Sequence, residues 1–141
     1  MSHDCTKKEI IVCEDAPKAL GPYSAAVATG CLVFVSGQLG LDPATGDFVP
    51  GGVEAQARQA FKNIKALLEA AGSGLPYIVK ATVFLKDMAD FAAVNAVYAE
   101  HFTGDFPARS AVQVCALPKA GLVEIEVIAV RPKGDEKGCC H

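Results

Sequence analysis

No apolar run among the 141 residues approaches the roughly twenty needed to cross a bilayer, and the amino-terminal MSHDCTKKEI lacks the apolar core of a secretory signal. A cytoplasmic protein is expected, with an organelle left open. Excess basic charge is missing as well. The formal net charge is -3 and the pI is near 5.5, so nothing draws nucleic acid in general. Nor is there an aromatic and basic motif of the kind that reads RNA. The six cysteines, Cys5, Cys13, Cys31, Cys115, Cys139 and Cys140, lack zinc-ribbon spacing and fall mostly in apolar strands. In a reducing compartment that pattern reads as small buried hydrophobes. Cys139, Cys140 and His141 could bind metal with His3 and Cys5, but mobile termini make poor closed sites. A frayed tail is the preferred reading, and no metal is expected.

What is present suits one globular domain: 51% apolar and 21% charged residues over a length that buries roughly two-thirds of the unfolded surface. The expected core spans about residues 9–132, with flexible tails at 1–8 and 133–141. Residues 9–13 make a short candidate strand, and the prolines and glycine of residues 16–23 make a fixed loop ending at Tyr23. Residues 24–29 and 31–37 read as a hairpin turned at Gly30. Leu32 to Val35 is apolar on both faces and must be covered from both sides. Ser36, Gly37 and Gln38 follow at its exit, where a glycine lets backbone amides approach a ligand.

Residues 53–71 carry Ala57, Ala60, Phe61, Ile64, Leu67 and Leu68 at helical spacing, and Gly72 is a natural stop. A strand is expected over 78–85. A second helix, capped by Asp87, should run to about Phe102 with Phe91, Val94, Tyr98 and Phe102 as its buried stripe. Asn95 sits partly on that stripe, where an amide needs partners. It either ties down the loop before Arg109 or lines a pocket.

Residues 107–126, PARSAVQVCALPKAGLVEIE, read as a loop delivering Arg109, a strand over 110–115, a turn, and a strand over 122–130. In the last strand Val123, Ile125, Val127 and Ala129 form an apolar face, while Glu124 and Glu126 share the other with Leu122, Ile128 and Val130. A guanidinium one hairpin earlier would enter the neighbourhood of these carboxylates. Such a pair could hold a small carboxylate-bearing molecule and move its protons, or could equally be a salt bridge between strands or subunits. The order β-β-β-α-β-α-β-β predicts an α+β sandwich, a mixed sheet with two helices on one face. Phe34 or Val35, Val112, Val114, Ile128 and Val130 then leave an apolar second face, which a closed homo-oligomer would bury with Glu124 at or near the subunit boundary.

Pro107-Ala108-Arg109-Ser110, Leu117-Pro118-Lys119 and Val123-Glu124-Ile125-Glu126, with Gly21-Pro22-Tyr23-Ser24 and Val35-Ser36-Gly37-Gln38 upstream, resemble the motifs of the Rid (reactive intermediate deaminase, YjgF) family, in particular its RidA subgroup. The likeness runs from about residue 16 to 131. It implies a chorismate-mutase-like fold, a homotrimer with a central β-barrel, and clefts between subunits. It also implies cofactor-free hydrolysis of 2-imino acids, such as 2-iminopropanoate and 2-iminobutanoate, to 2-keto acids and ammonia. By that resemblance Arg109 binds the substrate carboxylate, Glu124 handles the water and its proton, and Tyr23, Ser36, Gly37 and Asn95 line the cleft. Glu126 receives no role. Many bacterial members carry a cysteine two residues after the arginine, where this chain has Ala111, so thiol chemistry at that place is not expected. Two other readings stay open: an endoribonuclease or translation inhibitor, as some relatives are described, and a non-catalytic trimer that binds keto acids or acts as a chaperone.

Overall fold

The computed structural model describes residues 4–132. Six strands, β1 (Glu9–Ile11), β2 (Ala26–Thr29), β3 (Leu32–Leu39), β4 (Ile78–Leu85), β5 (Ala108–Gln113) and β6 (Val123–Val130), and two helices, α1 (Gly52–Ala70) and α2 (Phe91–Glu100), follow one another in the predicted order. The strands form one mixed sheet in the order β1-β2-β3-β6-β4-β5. This is the α+β, chorismate-mutase-like arrangement, with both helices on the same face.

Alternation explains why that face was chosen. Val33 and Val35 on β3, Ala81, Val83 and Leu85 on β4, and Val123, Ile125, Val127 and Ala129 on β6 are all buried. They meet Ala57, Ala60, Phe61, Ile64, Leu67 and Leu68 along one side of α1. Gly72, at φ 86°, ends α1 in a Schellman turn, with Gly72 N–H donating to Glu69 O at 3.1 Å and Ser73 N–H to Leu68 O at 2.8 Å. Contact between α1 and the sheet is close at Gly40, where a Cβ would lie 2.6 Å from Gln56 Cβ. Asp87 caps a 3₁₀ turn over Met88–Asp90 through Ala89 N–H at 2.9 Å, and α2 proper begins only after it and ends before Phe102.

Two local expectations are corrected. β5 and β6 are not a hairpin: β5 lies at the sheet edge, parallel to β4, and β6 inserts between β3 and β4 in antiparallel register with both. The long connection through α2 makes β4-α2-β5 a crossover unit, which pairs its strands in parallel. β6, whose alternate residues are wholly apolar, takes the sheet centre; β5, with Arg109, Ser110 and Gln113 in its six residues, takes the edge. Ser36 and Gly37 likewise do not end β3, which continues to Leu39 through a bulge where its register with β6 shifts between Val35 and Gln38.

The cysteine reading also changes. Cys5 and Cys31 are each disulfide-bonded. Cys115 is exposed, and the half-buried Cys13 thiol donates to Ala66 O at 3.6 Å. Cys139, Cys140, His141 and His3 lie outside the described residues, as do residues 133–141 and 1–3 of the expected tails. Residues 4 and 5 are hydrogen-bonded to the β2–β3 turn, Asp4 O accepting from Gly30 N–H at 3.1 Å and Cys5 O from Thr29 Oγ1 at 3.3 Å. Arg131, which the sequence reading did not single out, is 5% exposed and donates to Gly30 O at 2.8 Å, Ala71 O at 3.4 Å and Glu9 Oε1 at 3.1 Å.

Candidate active site

Glu124 projects from the centre of the sheet on the helix-free face, its neighbours Val123 and Ile125 pointing into the core. The β3 bulge makes room for it. A Cβ on Gly37 would stand 2.6 Å from Glu124 Cδ and 2.9 Å from Cγ, so a side chain there would displace the carboxylate. Bulges beside functional sites often re-aim a side chain in this way. Ser36 braces the bulge, its hydroxyl donating to Ser24 O at 2.7 Å and its N–H to Ala25 O at 2.9 Å. Glu124 is half-buried. Burial, and then the neighbouring charge of Glu126, push its pKa above the ordinary carboxylate value. Glu124 lies in a cleft of ≈ 630 Å³ lined also by Tyr23, Ser36, Gly37, Lys119 and Glu126. Tyr23 is exposed, and its hydroxyl accepts from Leu20 N–H at 3.3 Å.

Two cleft residues carried no predicted role. Glu126, to which the family resemblance gives no part, raises the proton affinity of Glu124. Lys119 donates to Gly46 O at 3.0 Å from a turn in which Lys119 (φ 57°) and Ala120 (φ 62°) both take left-handed backbone. Consecutive non-glycine residues in that region are strained, and such strain is most often kept at functional turns.

Arg109 belongs to a second surface. It pairs in register with Ala81, a core residue, so its side chain leaves the sheet on the helix side at the β5 edge. There one Nη donates to Asn95 Oδ1 at 2.6 Å. Its guanidinium carbon lies 4.8 Å from the Tyr98 ring centroid and 5.5 Å from that of Phe91. Asn95 thus holds the arginine side chain itself and not the loop before it, and it also borders a cleft of ≈ 380 Å³ with Tyr98, Ala99, Phe106, Pro107 and Arg109. Ala111, two residues on, faces the same side and packs partly against the core.

The two charged residues thus stand on opposite faces of the sheet with β4 between their strands. The hairpin that was to carry the guanidinium into the neighbourhood of Glu124 is therefore absent; the structure groups Tyr23, Ser36, Gly37 and Glu124 in one place and Asn95 with Arg109 in another. The cause is the strand order, since a hairpin would have kept the two strands adjacent. Among the described residues no cluster of three or more His, Cys, Asp or Glu is placed to hold a metal ion. Among them, too, no helix is long and apolar enough to cross a membrane.

Known proteins match this chain along most of its length. A goat (Capra hircus) protein named 2-iminobutanoate/2-iminopropanoate deaminase is 55% identical over 124 residues, covering 88% of this chain and 90% of the relative. The crystal structure of RidA from an Antarctic Psychrobacter superposes with a TM-score of 0.84 at 50% identity, covering 86% of this chain and 98% of that one. The structure of Escherichia coli TdcF with bound serine gives 0.83 at 46% identity, with 87% and 98% covered. The family model described as Endoribonuclease L-PSP matches residues 13–131. With motifs, fold and relatives in agreement, the chain belongs to that family, the Rid family which its sequence resembles.

Proposed function

We propose that this protein hydrolyses 2-imino acids to 2-keto acids and ammonia, in clefts formed where copies of the chain meet in a homotrimer. The observation that carries the reading is the half-buried Glu124 carboxylate seated on the side-chain-free Gly37, on a sheet face that no helix covers. A second copy docked on that face would bring an edge-strand arginine to it. The name of the goat relative supports the substrate class.

The chemistry needs little from the protein, because a protonated imine carbon is already electrophilic. Arg109, with one Nη on Asn95, keeps a pair of parallel N–H groups for the substrate carboxylate, a grip that lysine cannot reproduce. Charge-assisted bonds of this kind contribute about 1.5 to 3 kcal/mol each. Glu124 takes a proton from the attacking water as the carbon–oxygen bond forms. The same carboxyl then protonates the nitrogen of the tetrahedral adduct. The carbon–nitrogen bond breaks as the adduct's hydroxyl returns its proton to the Glu124 carboxylate, and the carbonyl closes as ammonia leaves and takes up that proton as ammonium. Positioned acid–base transfer contributes roughly 10² to 10⁴ in rate.

Mixed oligomers test both the residues and their sharing. Arg109→Ala and Glu124→Gln should each abolish turnover of enzymatically generated 2-iminopropanoate while remaining assembled. Unfolded together and refolded as a 1:1 mixture, they should recover about a quarter of wild-type activity, because that share of sites pairs one intact arginine with one intact glutamate. No recovery from well-assembled mixtures would return both residues to a single subunit's site or remove one of them. Glu124→Gln that keeps full rate would remove Glu124 from the chemistry, and a wild type that binds 2-keto acids without accelerating imine hydrolysis would favour a keto-acid-binding trimer.

A further inference from the structure

The proposed grip depends on where one exposed arginine points. An arginine on an edge strand has many rotamers, and a carboxylate that must collect it from all of them binds weakly. Here three side chains on one stripe of α2, Phe91, Asn95 and Tyr98, converge on the guanidinium. Their spacing of four and three residues keeps them on a single helix face. Asn95 supplies direction through its hydrogen bond, but a single exposed bond leaves the guanidinium free to swing about it. A plane beneath the cation removes that freedom.

We infer that Tyr98 is a positioning residue for Arg109, its ring face serving as the fixed platform on which the substrate-binding guanidinium rests. Within the proposed reaction, this gives the ring and not the hydroxyl the functional part.

Three observations support the assignment. The guanidinium carbon is closer to the Tyr98 ring, at 4.8 Å, than to that of Phe91, at 5.5 Å. The platform itself is immobile: Tyr98 is 4% exposed and wedged against Phe61 at 5.6 Å in an edge-on contact and against Phe102 at 5.0 Å. The Tyr98 hydroxyl is buried with no hydrogen-bond partner among the described residues. Burial also holds the phenol's pKa above its usual value, so the ring meets the cation as a neutral π face and not as a phenolate.

The test compares Tyr98→Phe, Tyr98→Leu and Phe102→Leu in the assembled protein, with calorimetric affinity for 2-ketobutyrate and for its neutral carboxamide, alongside imine turnover. Tyr98→Phe should bind 2-ketobutyrate within about twofold of wild type. Tyr98→Leu should weaken it about three- to thirtyfold, the range of a cation–π contact, with little change for the carboxamide. Phe102→Leu removes one of the rings that wedge Tyr98 but does not itself meet Arg109, so it should lower the melting temperature and weaken affinity less than Tyr98→Leu does. If Tyr98→Leu does not assemble, Tyr98→Met, which keeps more of the side chain's length without an aromatic face, makes the same comparison at the same position. Tyr98→Phe as damaging as Tyr98→Leu, equal losses for acid and amide, or equal losses in Phe102→Leu would each overturn the assignment. A wild type that binds 2-ketobutyrate but turns over no imine would sink the proposed reaction and leave the platform standing. A wild type that binds no keto acid would remove both.

Discussion

Gly37 is the position where one hydrogen atom decides whether Glu124 can occupy its site. Because the atoms a Cβ would strike belong to the end of a side chain and not to backbone, Gly37→Ala should fold and assemble while expelling the carboxylate. Imine turnover should fall by about 10² or more, the share assigned to positioned proton transfer, with a melting temperature close to wild type. A variant that keeps full activity would show that Glu124 works from a different rotamer. Glu126 acts on the same carboxyl through charge. It raises the Glu124 pKa, so its removal in Glu126→Gln must lower that pKa, and the Glu124 inflection in the pH dependence of kcat/KM should move to lower pH. An unmoved inflection would assign the profile to another group.

The bulge that carries Gly37 is held from the helix layer. Asn63 on α1, fully buried, donates from its amide to Leu39 O at 3.2 Å and Leu41 O at 3.0 Å, and accepts from Gln59 at 2.9 Å. Asn63→Ala removes the buried side-chain donor to two main-chain carbonyls where β3 ends. Urea unfolding at fixed protein concentration should show a loss of about 2 to 4 kcal/mol, and the loosened β3 should lower turnover as well. The periodic elements were readable in advance. A helix over 53–71 became Gly52–Ala70, and a strand over 78–85 became Ile78–Leu85, since apolar spacing is set by the same geometry that buries it. Asn63 and Arg131 were not singled out, because a polar residue near the edge of an apolar stripe reads as solvated until a neighbouring chain segment closes over it.

Across the whole sheet, the face without helices carries Leu32 and Phe34, 39% and 41% exposed, the half-buried Ile128 and Val130 beside them, and Val112, 44% exposed, toward the β5 edge. An apolar surface of this kind on a small domain is what the proposed homotrimer would bury. Phe34→Lys places a charge at the middle of that patch. It should leave the helix-side core untouched and convert the protein to monomers in sedimentation velocity. Imine turnover should disappear with the trimer, although Arg109 and Glu124 are both intact. An active monomer would show that a single chain can complete the site.

Alternation along β6 and the helical stripe of α1 were sufficient to assign those elements and the buried face, while the candidate residues were named by the family motifs they match; both depend only on neighbours within one segment. The placement of β6 between β3 and β4, and with it the separation of Arg109 from Glu124, followed from which strand could best fill the sheet's centre. That contest among segments distant in the chain is settled only when they pack together, which is why the residues could be named from their order while the geometry that divides them between two surfaces could not.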